Sequence, residues 1–491
     1  MWARGFSPTR EHRPEGRRYI FTPPPFHFSP NSVTLLSRMR LQEALAVNRG
    51  DIVSFVGAGG KTTAMYRLAH ELANLGWRVV TTTTTMIRPP SPEQSEETIL
   101  EANSTRLLQK VKRALESHHH ITVATRQRRD EKGKLVGLQP ELVGKLASLP
   151  SIEALIVEAD GARGRSLKAP AAYEPPVPPA TTILVPMMAI DALGQPLDER
   201  IAHRPELIAR LTRTSLGDLI TPEVAAQVIA HPEGGLKNAP PSARVIPLIN
   251  KVDSSTLVPA QEVANYLISA NSIERVLLGA VAEPDSLQDP VGPILECWTK
   301  VAGVILAAGE SRRLGRPKQL LPLGEKTMLE HIVEVALSSP LQEVVVVLGH
   351  RAEEIQPLLE GVKVVVNEEW PQGLSASLRV GLEALSPQFE ACLFFLADQP
   401  KVTPQLVESL ITRHRRTLAP IVAPRFRGQR GNPVLFARSL FPELLSLQGE
   451  EGGRSLIEKY HSLVEWVEVD SEDYFLDIDT LEDLKHLRSE E

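Results

Sequence analysis

The sequence predicts an α/β protein built in two halves, and three observations carry that prediction. Short apolar runs of strand length, among them 52–56, 304–306 and 392–396, alternate with segments of helical spacing. Two of these runs, ending at Val56 and at Leu306, pass directly into glycine turns followed by a lysine. The length of 491 residues allows two or three separate cores.

In the first half, Ile52 to Val56 leads into Gly57-Ala-Gly-Gly-Lys-Thr-Thr63, the order strand, glycine loop, lysine, hydroxyl. Small residues there open backbone N–H groups to phosphate oxygens. Lys61 reaches the terminal phosphates, and Thr62 can hold magnesium at the mouth of a helix. That helix is predicted from Met65, Leu68, Ala69, Leu72 and Ala73, with Gly76 where a C-terminal cap belongs. Phe55 stands where the standard pattern has its first loop glycine, so a plain strand-to-helix turn is the competing reading. Ala154 to Asp160 reads as a buried strand that delivers Glu158 and Asp160 to its carboxyl edge, where doubly wound folds place ligands. There a carboxylate either helps to hold magnesium or faces solvent. Asn250-Lys-Val-Asp253 at the end of another apolar run is a weak guanine signal. His118 to His120, adjacent and pointing different ways, read as a solvated turn rather than a metal site.

In the second half, Val304 to Leu306 form a buried strand, and Ala307, Ala308 and Gly309 are small enough for a base or phosphate to approach the backbone. Arg313 and Lys318 then supply positive charge, which a transferring phosphoryl centre needs more than it needs an acid or base. Strands are predicted at 344–348, 362–366, 392–396 and 421–423. Between them a helix spans 327–338, capped by Thr327, with Met328, Leu329, Ile332, Val333 and Ala336 on its buried face. The boundary between the halves falls near 298–302, without a long linker.

Composition removes several function classes. The formal net charge of −6, with basic residues spread along the chain, gives no case for nucleic-acid binding. No apolar run approaches the roughly 20 residues that span a bilayer, and the N-terminus lacks the apolar core of a signal peptide. Cys297 and Cys392 read as buried, reduced thiols, which suits the cytoplasm. Residues 1–38, rich in Arg and Pro, read as a disordered tail or as sequence ahead of a start at Met39.

The run Leu306-Ala-Ala-Gly-Glu-Ser-Arg-Arg-Leu-Gly-Arg-Pro-Lys318 with Leu320-Leu-Pro322 resembles the signature of molybdenum cofactor nucleotidyltransferases. Later stretches resemble that family's motifs in order, namely Gly373 to Gly381, Leu396-Ala-Asp-Gln-Pro400, Gly431 to Phe436 and Asp477-Ile-Asp-Thr480. The resemblance covers residues 301–491 and implies a Rossmann-like nucleotidyltransferase α/β sandwich. It further implies transfer of CMP from CTP to molybdopterin with release of pyrophosphate. Catalytic roles fall to Arg313, Lys318 and Asp398, and Mg2+ to Asp398 and Asp479, with Asp477 as alternate. Nucleotide contacts fall to Leu306, Ala307, Ala308, Gly309, Lys318, Gly373, Ser375 and Ser377. Ala308, where guanylyl relatives more often have glycine, points to CTP over GTP. A guanylyltransferase, another nucleotidyltransferase or a nucleotide-gated cofactor carrier is the alternative.

The glycine loop, the threonine run 81–85, Glu158-Ala-Asp-Gly-Ala-Arg-Gly-Arg-Ser-Leu-Lys-Ala-Pro170 and 250–253 together resemble the YqeC family. This implies a P-loop-like doubly wound domain over 39–300 that serves selenium-dependent molybdenum hydroxylases, with a xanthine dehydrogenase-like enzyme as partner. Carried over are nucleotide binding by Gly57, Gly59, Gly60, Lys61 and Thr62, and Asp160, Arg163 and Lys168 as partners for an anionic ligand.

Overall fold

The computed structural model describes residues 38–130, 133–282, 292–311, 314, 316–480 and 482–483. Ser37–Glu491 form one compact unit. The expected tail lies, through residue 37, outside the described residues.

The first half is a large, mainly parallel sheet. Its principal strands are β1 (Asp51–Gly57), β2 (Val79–Thr83), β3 (Glu97–Leu100), β4 (His120–Ala124), β5 (Ala154–Glu158), β6 (Ile183–Ala189), β7 (Leu248–Asn250), β8 (Arg275–Gly279) and β9 (Ile294–Thr299). They lie in the order β9-β8-β7-β6-β1-β5-β2-β4-β3, and all pair in parallel except β8 with β9. Every residue of β5 and β6 is buried, because helices cover both faces of a parallel sheet. The threonine run is part of this core: Thr81 bonds Thr122, Thr82 donates to the Val123 carbonyl and Thr83 to that of Glu158. Helix α1 (Lys61–Asn74) follows β1 and packs Ala64, Met65, Leu68, Ala69 and Leu72 against the sheet. Beyond its end Gly76 takes a left-handed φ of +79°, as the composition of that turn requires.

The second half centres on β10 (Val301–Ala307). With β11 (Glu343–Leu348), β12 (Lys363–Val366), β13 (Ala391–Leu396), β14 (Ile421–Phe426) and β15 (Val434–Ala437) it forms the order β12-β11-β10-β13-β15-β14. A final strand β16 (Val464–Glu468) pairs with β14. Helix α2 (Met328–Leu337) starts as its sequence dictates: the Thr327 hydroxyl accepts the Glu330 N–H, and the Glu330 carboxylate accepts that of Thr327. Helices α3 (Leu374–Glu383) and α4 (Pro404–Thr417) complete the layers that matter for the site. Among the described residues no helix is long and apolar enough to cross a membrane.

Only Lys300 separates β9, at the edge of the first sheet, from β10 in the second. Its ammonium is held by the Ala270 carbonyl and by Gln388 Oε1, each at 3.1 Å. The α4 helix packs onto β9, where the Arg415 guanidinium lies 3.4 Å from the Trp298 ring centroid. Beside it Arg416 Nε sits 3.3 Å from Glu296, and across the same seam Arg275 pairs with Glu390 at 3.0 Å.

Two histidines buried in these layers make the fold acid-sensitive. Burial pushes His120 on β4 and His414 on α4 down to about 4. In the unfolded chain both titrate near 6.5, so U takes up protons first as pH falls, and the stability present above pH 6.5 is lost toward pH 4. At pH 5 the loss is about 2 kcal/mol per histidine. Urea unfolding at pH 7 and pH 5 checks this: the midpoint should fall, and by clearly less in His414→Gln. An unchanged midpoint in the parent chain would refute it.

Candidate functional site

The sheet order brings most of the residues expected in the second half into one cleft. At the carboxyl end of β10 a cavity of 390 Å³ is lined by Leu306, Ala307, Ala308 and Gly309 from the strand and its turn, by Gly373 just before α3 and Ser377 within it, and by Lys318 and Asp398. Lys318 begins a short turn whose N–H donates to Ser311 Oγ at 3.0 Å. Its ammonium contacts the Asp398 carboxylate directly and lies 3.6 Å from Asp479 Oδ1. Asp398 sits just past β13, and its carbonyl accepts the Ile478 N–H at 3.0 Å, which fastens the 477–479 segment beside it. Asp477 instead accepts from Gln399 Nε2 at 2.8 Å.

Two expected residues stand apart. Ser375 does not line the cleft: its N–H and its hydroxyl both donate to the Gly449 carbonyl, because the first turn of α3 has donors that need an acceptor. Arg313 lies outside the described residues. Gly373 serves the same contact, since at its φ of +106° a Cβ would come within 2.4 Å of the Gly449 oxygen.

Sequence reasoning missed several residues of the wall, among them Gln319, Trp370, Pro371 and Glu450. Gln319 is the most informative of them. Its amide N–H groups donate to the carbonyls of Ala307 (2.7 Å) and Gly309 (3.1 Å), which fixes the shape of the turn and leaves its Oε1 buried without a partner. A polar amide next to the lysine, after a run of small residues, was the available signal.

The first half builds a second cleft at the carboxyl end of β1, with a volume of 1380 Å³. Its floor is the glycine loop. Added Cβ atoms at Gly57 and Gly59 would each lie 2.4 Å from backbone atoms of β6, and one at Gly60 would lie 2.6 Å from Asn250 Nδ2. All three glycines also have positive φ. Asn250 donates to the Gly59 carbonyl at 2.7 Å and accepts the Val281 N–H, so it braces the loop. Asp253 accepts from the N–H groups and hydroxyls of Ser255 and Thr256, which occupies it in capping its own turn. Thr62 donates to Glu158 Oε2 at 2.5 Å, and burial pushes that carboxyl up.

Lys61 is buried, bonded to the Gly57 carbonyl at 2.6 Å and paired with Asp160 Oδ1 at 3.1 Å. Asp160 in turn accepts the Gly57 N–H and pairs with Lys168, which pairs with Glu174, itself gripped by Arg204. Asp160 and Lys168 therefore do not present themselves to a ligand as expected, because each neutralises the other inside the core. Arg163 does line the cleft. His120 lies in β4 against Thr81, and His118 bonds the Ala114 carbonyl at the end of its helix.

Removing Asp160 would leave Lys61 buried without a counter-charge. Asp160→Ala is expected to lower stability by about 3 kcal/mol, read from urea unfolding, and Asp160→Asn by less. A change under about 1 kcal/mol would mean that water already reaches the Lys61 ammonium.

Residues 303–464 match the family model of the MobA-like NTP transferase domain, and residues 53–206 that of the YqeC protein. The chain is 29% identical over 244 residues to the uncharacterized protein YqeC of Escherichia coli K12, a span of 48% of this chain and 90% of that one. It is 33% identical over 197 residues to the nicotine blue oxidoreductase of Paenarthrobacter nicotinovorans, covering 38% and 96%. To the molybdenum cofactor cytidylyltransferase of Escherichia coli K12 it is 25% identical over 185 residues, covering 37% and 91%. One chain thus joins a segment that matches the YqeC family model to a segment that matches the MobA-like NTP transferase model.

Proposed function

We propose that the second-half cleft transfers CMP from CTP to molybdopterin and releases pyrophosphate, in the cytoplasm. The glycine loop of the first half then acts as a P-loop that binds a nucleotide in an accessory step of molybdenum hydroxylase maturation. One observation carries the reading: a lysine ammonium stands between two carboxylates at the floor of a cleft whose base is made of small residues.

A phosphate oxygen of molybdopterin attacks the α-phosphorus of CTP. The new P–O bond forms as the bond to the α,β-bridging oxygen breaks, and that electron pair leaves on pyrophosphate. The nucleophile is already ionised, so no general base is needed. Lys318 turns from its carboxylate partners toward the triphosphate and stabilises the charge that shifts onto the leaving group, and Arg313 shares this role. Asp398 and Asp479 offer hard oxygen donors and leave positions for waters and phosphate oxygens, a donor set that fits magnesium, whose charge would favour attack at phosphorus. Ala308 lines the cleft, its carbonyl held by the His350 N–H, and in this reading the alanine in place of glycine narrows the room for the base and favours cytosine.

A second reading has its own observation. The relative at 33% identity is named an oxidoreductase, whereas the cytidylyltransferase stands at 25%. Redox chemistry has no need of the lysine and aspartate pair, which nucleotidyl transfer uses, so the pair supports the reading as transfer.

Incubation of the purified chain with molybdopterin, magnesium and each nucleoside triphosphate, followed by assay of pyrophosphate and dinucleotide, tests activity and base choice together. CTP should react faster than GTP, and equal rates would remove the argument from Ala308. A parallel incubation with nicotine blue and a reductant tests the redox reading: turnover of the dye would support it, and none would remove it. Asp398→Ala should abolish transfer. Lys318→Ala should slow it on the order of 100-fold, and an effect below threefold would place Lys318 outside the chemistry. Lys61→Ala should remove nucleotide binding by the first half and leave CMP transfer intact. Loss of transfer in that variant would show the two sites to be coupled.

A further inference from the structure

The first-half cleft is larger and more basic than a nucleotide on the glycine loop requires. Ligand pockets run to about 300–1,000 Å³, and this one measures 1380 Å³. Two of its lysines are already neutralised, Lys61 by Asp160 and Lys251 by Asp191. Arg88, Lys134, Arg163 and Arg165 also line it, and among the described residues their side chains have no hydrogen-bond or ion-pair partner. Against these four cations the wall offers one carboxylate, Glu158, which is engaged by Thr62.

The four cations come from two sides. Arg163 and Arg165 sit on the loop after β5, and this loop is fastened to the glycine loop by the Gly59 N–H donating to the Arg165 carbonyl at 3.1 Å. Arg88 and Lys134 flank a small three-stranded sheet of residues 86–87, 126–127 and 135–136. Tyr66 of α1 lines the same cleft, is 5% exposed, and has a hydroxyl buried without a hydrogen-bond partner. A buried hydroxyl left unpaired and four like charges facing one cavity are each unfavourable, and an anion bearing several oxygens relieves both.

We propose that this cleft holds, beside the nucleotide, a second phosphate-bearing small molecule, bound by Arg88, Lys134, Arg163 and Arg165 with Tyr66 as a hydrogen-bond donor. The placing of this site next to a nucleotide rests on the P-loop reading above; the anion site itself rests on the cavity and its unpaired cations.

In the test, full-length protein is loaded with the β,γ-imido analogues of ATP and GTP and with a non-hydrolysable CTP analogue, so that both glycine turns are occupied. Inorganic pyrophosphate is then titrated in while hydrogen exchange is followed at residues 84–90 and 133–137. Exchange in both segments should slow with pyrophosphate. The double variant Arg163→Ala, Arg165→Ala should weaken that response at least tenfold and change nucleotide affinity less than threefold. No protection of these segments in the loaded protein overturns the proposal. So does equal weakening of pyrophosphate and nucleotide, since the arginines would then belong to the nucleotide's own site. If neither imido nucleotide binds the first half but pyrophosphate still gives arginine-dependent protection, the P-loop reading falls and the anion site stands.

Discussion

A lysine ammonium set at the carboxyl end of a parallel strand, against an aspartate from the next strand, is the interaction around which both halves are arranged. Lys61 follows β1 and meets Asp160, just past the neighbouring β5; Lys318 follows β10 and meets Asp398, just past the neighbouring β13. Each cation has to be neutralised before a polyanion arrives, because burying it alone would cost several kcal/mol. That need fixes the distance between the glycine turn and the adjoining strand end, and so fixes where each cleft opens. The two solutions differ in depth. Lys61 is sealed by a chain of charges running through Lys168 and Glu174 to Arg204, whereas Lys318 stays partly open to solvent beside a half-buried Asp479.

The strands and the two turns were legible because they depend on local periodicity and on small residues at fixed spacing. Thr327 announced the start of α2 through a cap three residues long, and Gly76 marked the end of α1 in the same way. What the sequence hid were partners far along the chain. Asn250 looked like part of a base-reading group, yet the glycine loop it braces lies 191 residues away. Ser375 looked like a ligand contact until the Gly449 carbonyl, 74 residues on, took its hydroxyl. Asp160 and Lys168, close enough in sequence to suggest a ligand site, satisfy each other instead. Arg415 gave no sign of its place on the Trp298 ring, because nothing in the spacing of a helix says which aromatic it will cover.

The two clefts also differ in what they leave unsatisfied. In the second half the unpaired atom is an acceptor, Gln319 Oε1, in a small cavity where Lys318 faces three carboxylates, Glu310, Asp398 and Glu450. In the first half it is a donor, the Tyr66 hydroxyl, in a large cavity of excess positive charge. An orphaned acceptor selects a ligand by its N–H or O–H groups, and an orphaned donor among cations selects it by its oxygens. The halves therefore discriminate on different chemical features even though both start from a strand, a glycine turn and a lysine.

The single residue between β9 and β10 has a mechanical meaning. Thr299, Lys300 and Val301 are all buried, and the strands on either side are locked into different sheets. A protease meets no accessible peptide there, and any rotation of one half against the other has to disturb the α4 contact on β9, the Arg275–Glu390 pair and the bond from Lys300 to Gln388. The two halves are consequently coupled stiffly at this seam, with no swinging linker between β9 and β10.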